Sequence, residues 1–331
     1  MTIAVYGAGG IGCYVGGRLV AGGADVVFVG RQRIGDELAE HGLRLTDYKG
    51  ADVRVSDLRF ATTPAAAADA DLVLVTVKSA ATEGAAEELA GVLKPGAVVV
   101  SFQNGLRNGE VLRERLPEQV VLSGMVPFNV LSKGGGAFHQ GTEGGLDVQA
   151  HAALTPYGEA FAKAGLPLTQ HDDVVPVQWA KLLLNLNNPV NALSDLPLRD
   201  ELSQRSYRRC LAAAQEETLK LLQDKRIRPA KLTALPPGRM PAVLRLPDWL
   251  FRRLASKMLA IDPYARTSMW EDLQAGRRTE IDYLNGEVVR LAESLGRTAP
   301  VNAKLVELVR AEEAGPRHVW TGEELSKQLR I

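Results

Sequence analysis

A glycine-rich loop close to the N-terminus constrains the fold of this chain more than any other feature. The apolar run Ile3–Tyr6 has the length of a strand, the loop GAGGIG follows at Gly7–Gly12, and Ile11–Ala21 has a helical pattern. This is the strand–turn–helix setting in which G-x-G-x-x-G binds a dinucleotide. The first glycine permits a tight turn, the second lets the backbone approach a pyrophosphate, and the third lets helix and strand pack closely. We therefore predict cofactor binding by the loop residues Gly7, Ala8, Gly9, Gly10, Ile11 and Gly12.

Further short apolar runs predict that the loop belongs to a parallel sheet. Val26–Val29, Leu72–Val77 and Val98–Phe102 have strand length and alternate with helical segments. Continuous apolar strands alternating with helices indicate a sheet covered on both faces. Between Val121 and Val148 the pattern changes to shorter strands joined by glycine turns. We expect an α/β fold whose N-terminal part is a Rossmann-type doubly wound sheet.

The remainder of the chain is almost wholly helical in pattern, which predicts a domain boundary near Asp172. Residues 1–172 would form the nucleotide-binding domain, and residues 173–331 an all-helical C-terminal domain for the substrate. The stretch Ile227–Arg245 holds four prolines and is predicted to be a loop or a broken connection. The predicted C-terminal helices are Gln178–Leu193, Asp200–Gln223, Asp248–Leu259, Thr267–Leu273, Glu280–Leu295 and Val301–Glu313.

Composition limits the kinds of partner. Lys and Arg total 39 and Asp and Glu total 39 in 331 residues, so the formal net charge is zero. This balance gives no support for a nucleic-acid partner or an anionic membrane surface. No stretch approaches the roughly 20 apolar residues that span a bilayer, and the N-terminus reads as a strand, not a signal peptide. Cys13 and Cys210 are far apart and have no metal-binding spacing. We therefore expect a cytoplasmic protein without a metal site.

The end of the second predicted strand indicates which dinucleotide is bound. An NAD site usually has Asp or Glu there for the ribose hydroxyl. This chain has Gly30, Arg31 and Arg33 instead, and Arg31 could pair with a 2′-phosphate. NADP(H) is therefore favoured, with Arg33 equally well interpreted as a solvated surface residue. Lys78 follows another parallel strand at its carboxyl end, where ligands bind in such sheets.

The segment WAKLLLNLNNPVNAL places a lysine and several asparagines among leucines. If it is one helix at about 100° per residue, Lys181, Asn185 and Asn188 share a face, and Asn187 and Asn191 point elsewhere. A polar stripe on an apolar helix indicates a buried helix facing a cavity or an interface, although solvated or capping side chains would give the same pattern. Pro189 predicts a kink, because it cannot donate to the carbonyl of Asn185.

A second polar segment lies near the C-terminus. Thr279 could cap a helix with Asp282 at its third position, which would place Glu280 in the first turn. Without any catalytic role, Glu280 could simply be an acid in the first turn of a helix, and Ser268 could be an ordinary cap or surface serine. Spacing alone does not make either residue catalytic.

Taken together, these motifs resemble the ketopantoate reductase (2-dehydropantoate 2-reductase) family. The resemblance is spread over most of the chain. It rests on GAGGIG, GR at Gly30–Arg31, VK at Val77–Lys78, QNG at Gln103–Gly105, KLLLN at Lys181–Asn185 and SMWEDLQAGRRTEIDYLNG at Ser268–Gly286. The family reduces a 2-keto acid with NADPH to pantoate, on the route to pantothenate and coenzyme A.

The resemblance implies a role for each matching residue. Lys181 would be the general acid, and Glu280 would bind the substrate hydroxyl and influence the lysine. Asn104 would lie near both nicotinamide and substrate, and Ser268 would contact the substrate carboxylate. Asn185 and a second asparagine would hold the substrate. The cofactor residues would be the glycine loop with Arg31, Lys78, Asn104 and Glu280. The family allows more than one oligomeric state, a homodimer among them.

Two departures leave alternatives open. The family pattern has its second asparagine eight residues after the lysine, where this chain has Pro189, so Asn187, Asn188 and Asn191 all remain options and helical geometry favours Asn188. The stretch Ile227–Arg253 also looks longer than the family minimum. A reductase of another branched 2-keto acid, a β-hydroxyacid dehydrogenase and a non-catalytic NADPH-binding sensor are the competing interpretations.

Overall fold

Two units, Met1–Val174 and Val175–Ile331, make up the chain. A computed structural model describes residues 1–254 and 265–331. Within these residues no helix is long and apolar enough to cross a membrane.

Unit 1 alternates strands with helices through most of its length. Its strands are β1 (Thr2–Tyr6), β2 (Asp25–Val29), β3 (Leu43–Asp47), β4 (Asp52–Val55), β5 (Arg59–Ala61), β6 (Leu72–Val75), β7 (Val98–Ser101), β8 (Val120–Met125), β9 (Val130–Gly134), β10 (Ala137–Gln140), β11 (Leu146–Gln149) and β12 (Leu168–His171). Its helices are α1 (Gly10–Ala21), α2 (Gln32–His41), α3 (Thr82–Ala90), α4 (Asn108–Arg115) and α5 (Gly158–Lys163).

The larger sheet has the strand order β12-β11-β8-β7-β6-β1-β2-β5. The strands from β8 to β5 in this order run parallel, and β11 is antiparallel to β8. The chain passes from β1 to β2 on one side and later crosses to β6 on the other. The carboxyl end of β1 is therefore the point at which the strand order reverses, where ligands bind in such sheets. The predicted α/β, Rossmann-type fold class is confirmed.

Apolar strands form this sheet because both of its faces are covered. In β1, Ile3 and Val5 belong to one apolar cluster, and Ala4 and Tyr6 belong to the other. Successive strand residues point to opposite faces, so a strand buried on both sides is apolar throughout and does not alternate. This explains why the four runs recognised in the sequence correspond to β1, β2, β6 and β7, the strands that precede the predicted cofactor residues.

A second, smaller sheet in unit 1 was not predicted. Its order is β4-β3-β10-β9. In β3, Leu43 and Leu45 are buried and Arg44 is exposed, which is the alternation of a strand with one face in water. The turn from β3 to β4 includes Gly50 at φ 92°, and the Asp47 carboxylate accepts the backbone N–H of Ala51 at 2.9 Å.

Every regular element in the described part of unit 2 is a helix, as predicted. The α-helices are α6 (Val175–Asn185), α7 (Asn188–Ser194), α8 (Leu198–Leu202), α9 (Arg205–Asp224), α10 (Met240–Leu244), α11 (Asp248–Leu254), α12 (Ser268–Gln274), α13 (Asn285–Ser294), α14 (Pro300–Ala314) and α15 (Gly322–Leu329).

Several predicted helix limits are wrong. The predicted helix Gln178–Leu193 is two helices, α6 and α7, and Asp200–Gln223 is divided between α8 and α9. The stretch Ile227–Arg245, predicted to be a loop or a broken connection, contains the short helix α10, and α15 was not predicted at all. Glu280–Leu295 begins as a single 3₁₀ turn, Ile281–Tyr283, before α13. The last part of the predicted helix Asp248–Leu259 lies outside the described residues.

Candidate active site

The glycine loop of unit 1 is folded so tightly that two of its glycines leave no room for a side chain. Gly7 has φ 111°, and a Cβ built on it would lie 2.6 Å from the backbone nitrogen of Val77. A Cβ on Gly12 would lie 2.2 Å from the carbonyl oxygen of Gly7 and 2.6 Å from the Thr76 hydroxyl oxygen. That hydroxyl donates to the Gly7 carbonyl at 2.7 Å. Gly7 and Gly12 therefore hold the start of α1 against the ends of β1 and β6.

Gly9 differs from these two glycines because it faces open space. A Cβ on Gly9 would meet no atom within 4 Å. Gly9 is the N-cap of α1, and α1 has neither a side-chain cap nor an acidic residue in its first turn. The first backbone bond of this helix runs from Cys13 N–H to the Gly9 carbonyl, so the preceding N–H groups point out of the helix end. This arrangement fits a pyrophosphate, which binds to such N–H groups.

Arg31 follows β2 at the edge of the sheet that carries the glycine loop. Gly30 lets the chain approach closely, because a Cβ on Gly30 would lie 2.6 Å from the Ala8 side chain. The Arg31 side chain is exposed and forms no ion pair with residues 1–254 or 265–331, whereas Arg33 lies 3.8 Å from the Glu37 carboxylate. The first turn of α2 contains no acid. These residues fit a phosphate group and leave no carboxylate to bind a ribose diol.

The loops after β6 and β7 are joined by a buried polar network. The Gln103 amide donates to the Val77 carbonyl at 3.0 Å and to the Thr82 hydroxyl at 2.7 Å. The Asn104 carbonyl accepts from the Ser79 hydroxyl at 2.8 Å and from the Asn108 amide at 2.6 Å. Because these bonds join the two loops, Lys78, adjacent to Ser79, and Asn104 are held at the carboxyl ends of neighbouring parallel strands.

Lys181 lies on α6 of unit 2, four residues before Asn185, so the two side chains share one side of the helix. Both residues are half-buried, and the leucines between them include the buried Leu182 and Leu183. Burial lowers the pKa of Lys181 to about 8. A lysine with this pKa exchanges a proton near neutral pH, which an exposed lysine does not do.

α6 ends at Asn185 because its backbone bonds are replaced there. The Leu183 carbonyl accepts from the Gln215 side-chain amide at 3.0 Å, and the Asn187 N–H turns to the Leu184 carbonyl at 3.3 Å. Pro189 has no N–H for the Asn185 carbonyl, so the predicted kink is a full break. The projection that placed Asn188 beside Lys181 assumed one straight helix, and that assumption is wrong.

Two of the three open asparagines are buried and bonded within the protein. The side-chain amide of Asn187 donates to Glu201 at 2.9 Å, and that of Asn191 donates to the Leu196 carbonyl at 2.9 Å and to Glu201 at 3.3 Å. Asn188, the first residue of α7, is half-buried, and its side-chain amide forms no hydrogen bond within the described residues. Asn188 is the asparagine of this set whose amide is open to a ligand.

Ser268 begins α12 and is held near α7 by the residue before it. The Thr267 N–H donates to Asn191 Oδ1 at 3.0 Å, its hydroxyl lies 3.5 Å from the Asn188 carbonyl, and that hydroxyl caps α12 by accepting from Trp270 N–H at 3.3 Å. Ser268 itself is exposed. The structure thus brings Ser268 to the start of α7, although many residues separate them in the sequence.

Glu280 lies in the connection between α12 and α13 and is half-buried. It precedes the turn Ile281–Tyr283, so its predicted place in a first helical turn is wrong. Thr279 accepts the Ile281 N–H through its hydroxyl at 3.2 Å, and its own N–H donates to Glu313 at 2.7 Å. Bonds to both sides of Glu280 therefore fix its backbone against α14.

Sequence reasoning missed the residues that support these side chains. Glu201 and Gln215 in unit 2, and Ser79, Thr82 and Asn108 in unit 1, were not singled out. A signal was present only for Gln103, which is part of the QNG motif. The others are residue types that are common at protein surfaces, and only the structure reveals that they are buried.

Comparisons with known proteins agree with this arrangement. Residues 3–153 match the family described as ketopantoate reductase PanE/ApbA, and residues 173–313 match its C-terminal part. A 2-dehydropantoate 2-reductase from Halobacterium salinarum is 31% identical over 320 residues, which cover 94% of this chain and 98% of that protein.

Solved structures give the same result. A PanE/ApbA family ketopantoate reductase from Ralstonia eutropha has a TM-score of 0.82 at 31% identity, covering 96% of this chain and 100% of the other. A D-mandelate dehydrogenase solved with NADH and anilino(oxo)acetate shares the fold, with a TM-score of 0.79 at 21% identity over 95% of this chain and 99% of its own. The chain is therefore an oxidoreductase that belongs to the ketopantoate reductase PanE/ApbA family.

Proposed function

We propose that this protein reduces 2-dehydropantoate (ketopantoate) to (R)-pantoate with NADPH, in the biosynthesis of pantothenate and coenzyme A. The observation that carries the proposal is Lys181, a lysine with its pKa lowered to about 8, on the same side of α6 as Asn185. The family membership supplies the substrate class. Competing reductases of other branched 2-keto acids require the same chemistry and differ only in the fit of the substrate side chain.

Unit 1 is proposed to bind the cofactor. The N–H groups at the start of α1 would hold the pyrophosphate, and Gly9 leaves space for it. Arg31 would pair with the 2′-phosphate, and this contact favours NADPH over NADH. Lys78 and Asn104 would bind the remainder of the cofactor from the loops after β6 and β7. When bound, NADPH supplies the hydride that is added to the keto carbon.

Unit 2 is proposed to bind and protonate the substrate. Negative charge develops on the keto oxygen as hydride adds to the carbon, and the Lys181 ammonium stabilises this charge and then donates its proton. The oxygen becomes the hydroxyl of the product, and Lys181 regains a proton from solvent. Asn185, Asn188 and Ser268 provide donors for the substrate carboxylate and hydroxyl. Glu280 would accept from the substrate hydroxyl.

The test is a substrate panel. NADPH absorbance should fall on addition of ketopantoate, with a much smaller rate for NADH. Turnover of several 2-keto acids without turnover of ketopantoate would show that the substrate assignment is wrong while the reaction class holds. Binding of NADPH with no turnover of any 2-keto acid would favour the non-catalytic sensor.

The family models favour ketopantoate reductase over the β-hydroxyacid dehydrogenase interpretation. Both parts of the family model are ketopantoate reductase, and together they match most of the chain. The D-mandelate dehydrogenase likeness is below 25% identity and concerns the fold alone.

A further inference from the structure

Glu201 of α8 is a buried acid. Its side chain is 0% exposed, and it forms no ion pair within residues 1–254 and 265–331. One oxygen, Oε2, accepts from the side-chain amides of both Asn187, at 2.9 Å, and Asn191, at 3.3 Å. An ionised carboxylate in such a place is strongly unfavourable unless a cation or several donors compensate for the lost water.

Two unpartnered oxygens at this cluster bear on its protonation state. Within the described residues, Glu201 Oε1 and Asn187 Oδ1 are both buried and have no hydrogen-bond partner. Oε1 is the second oxygen of the Glu201 carboxyl group. Oδ1 belongs to the Asn187 amide, whose nitrogen donates to Glu201 Oε2. Both are acceptors when Glu201 is ionised, whereas a proton on Oε1 provides the missing donor for Asn187. Burial raises the pKa of Glu201 to about 8, so the acid keeps this proton at neutral pH.

Among the described residues, no charged side chain forms an ion pair or a hydrogen bond with Glu201 from the elements around it. On α9, the titratable side chains close enough to interact electrostatically with Glu201 are Tyr207 and Cys210. Burial raises their pKa values to about 12 and about 11, so both are neutral. Arg208 of α9 is turned to the carbonyl of Leu202 and to Asp248. From α7 and from Thr267 only amides and backbone approach the cluster.

The Glu201 cluster reaches two of the predicted substrate contacts of unit 2, Asn188 and Ser268. Asn187 directly precedes Asn188, so the Glu201–Asn187 bond fixes the start of α7. Asn191 accepts the Thr267 N–H with its other amide atom, and Thr267 directly precedes Ser268. One buried acid thus anchors two separate chain segments that carry a candidate ligand group each.

We propose that Glu201 is a positioning residue which, as a neutral carboxylic acid, orients the Asn187 and Asn191 amides and thereby fixes Asn188 and Ser268 for the substrate. This proposal rests on the proposed function, because it takes Asn188 and Ser268 as the substrate contacts. Glu201 itself touches neither substrate nor cofactor and acts through the two amides.

Glu201→Gln is the informative variant. A glutamine amide can donate to Asn187 Oδ1 and accept from both asparagines, as a protonated acid does, but it cannot ionise. We expect its KM for ketopantoate at pH 7 to equal that of the wild type. Above pH 8 the wild-type KM should rise as Glu201 ionises, and the Glu201→Gln KM should rise less. The titration of Lys181 remains in both proteins and therefore cancels in the comparison.

Glu201→Ala removes the anchor. Its KM should rise about tenfold, the effect of losing one or two net hydrogen bonds, while its Kd for NADPH stays unchanged because unit 1 supplies those contacts. Glu217→Ala is the matched control, since Glu217 caps α14 by accepting from Val301 N–H at 3.0 Å and has no bond to α7 or α12. It should lower stability without changing KM.

Two measurements need no turnover and separate this proposal from the proposed function. The infrared difference between wild type and Glu201→Gln at pH 7 should contain a protonated-carboxyl band. Hydrogen exchange in residues 186–196 and 265–274 should rise in Glu201→Ala and not in Glu201→Gln. If ketopantoate is not turned over, the substrate assignment is wrong. The infrared and hydrogen-exchange results still test whether Glu201 is protonated and whether it orders the two segments. An absent carboxyl band, or an unchanged KM in a folded Glu201→Ala protein, overturns the proposal.

Discussion

The backbone N–H of Thr267 donates to the side-chain oxygen of Asn191 at 3.0 Å, and this bond joins two distant parts of unit 2. Asn191 lies within α7, which begins at Asn188, and Thr267 caps α12, which begins at Ser268. A second link lies beyond α7, where the Trp270 indole donates to the Asp195 carboxylate at 2.6 Å. Neighbouring residues therefore hold Asn188 and Ser268, the first residues of the two helices, near each other. The side chains of Asn188 and Ser268 take no part in these bonds.

Asn188 and Asn187 should respond differently to the same substitution. Asn188→Ala removes an amide that has no hydrogen bond within the described residues, so we expect a higher KM for the 2-keto acid and an unchanged free energy of unfolding. Asn187→Ala leaves Glu201 with fewer donors, and we expect it to lower the free energy of unfolding by about 1–3 kcal/mol. Urea unfolding and steady-state kinetics of both variants are the measurements. A KM effect confined to Asn187→Ala would contradict the assignment.

The pH dependence of turnover should follow Lys181. Burial lowers its pKa from 10.5 to about 8, so the protonated, proton-donating form predominates below pH 8 and is lost above it. We expect kcat/KM for the 2-keto acid to fall as pH rises through about 8 and to be independent of Lys181 ionisation well below that value, because kcat/KM follows the pKa values of the protein without bound substrate. A pH series of kcat/KM at saturating NADPH tests this. A decline that begins only near the ordinary lysine value of about 10.4 would show that Lys181 is solvated or is not the acid.

Lys181→Ala tests the same role without titration. Loss of a general acid typically reduces turnover by about 10²–10⁴-fold, and we expect a decrease in this range with an unchanged Kd for NADPH. Lys220→Ala provides a control, because Lys220 is an exposed lysine of α9 in the same unit and carries no proposed role. Equal losses of turnover and NADPH affinity in Lys181→Ala would assign the lysine to cofactor binding instead.

Local patterns explain why the sheet of unit 1 was predictable and the helix break in unit 2 was not. β1, β2, β6 and β7 are continuous apolar runs, and the glycine loop follows β1 directly. A few consecutive residues are therefore enough to predict each strand and the loop. The end of α6 depends on Gln215, whose amide takes the Leu183 carbonyl from a position 32 residues away. Pro189 indicated a kink, but only this distant donor turns the kink into two helices.

The supporting residues of the site were hidden for the same reason. Glu201 lies in the sequence LRDEL, which has the composition of a solvated helix start, and only packing against α7 and α9 removes it from water. Glu201 also decides which asparagine remains open to a ligand, because its carboxyl group accepts hydrogen bonds from the Asn187 and Asn191 amides. The lysine and the four asparagines were visible in the sequence, and which of the asparagines bond within the protein was not.

Arg31 should control the choice between NADPH and NADH. Arg31→Ala removes an exposed guanidinium that has no ion-pair partner within the described residues, so NADPH affinity should fall about 10–100-fold while NADH affinity changes little. Arg33→Ala is the matched control, because Arg33 already lies 3.8 Å from Glu37. Kd values for both cofactors in both variants decide the matter. An equal loss for NADH would mean that Arg31 does not read the 2′-phosphate.

Gly9 and Gly12 should separate cofactor binding from stability within a single loop. An added methyl group on Gly12 would lie 2.2 Å from the Gly7 carbonyl oxygen, so Gly12→Ala should lower the free energy of unfolding by about 1–3 kcal/mol or more. Gly9 has φ −93° and open space at its Cβ position, so Gly9→Ala should unfold like the wild type. Its methyl group would stand where the pyrophosphate must approach, and NADPH affinity should fall. Denaturant unfolding and fluorescence titration with NADPH measure the two effects. A stable Gly9→Ala protein that binds NADPH as the wild type does would place the pyrophosphate elsewhere.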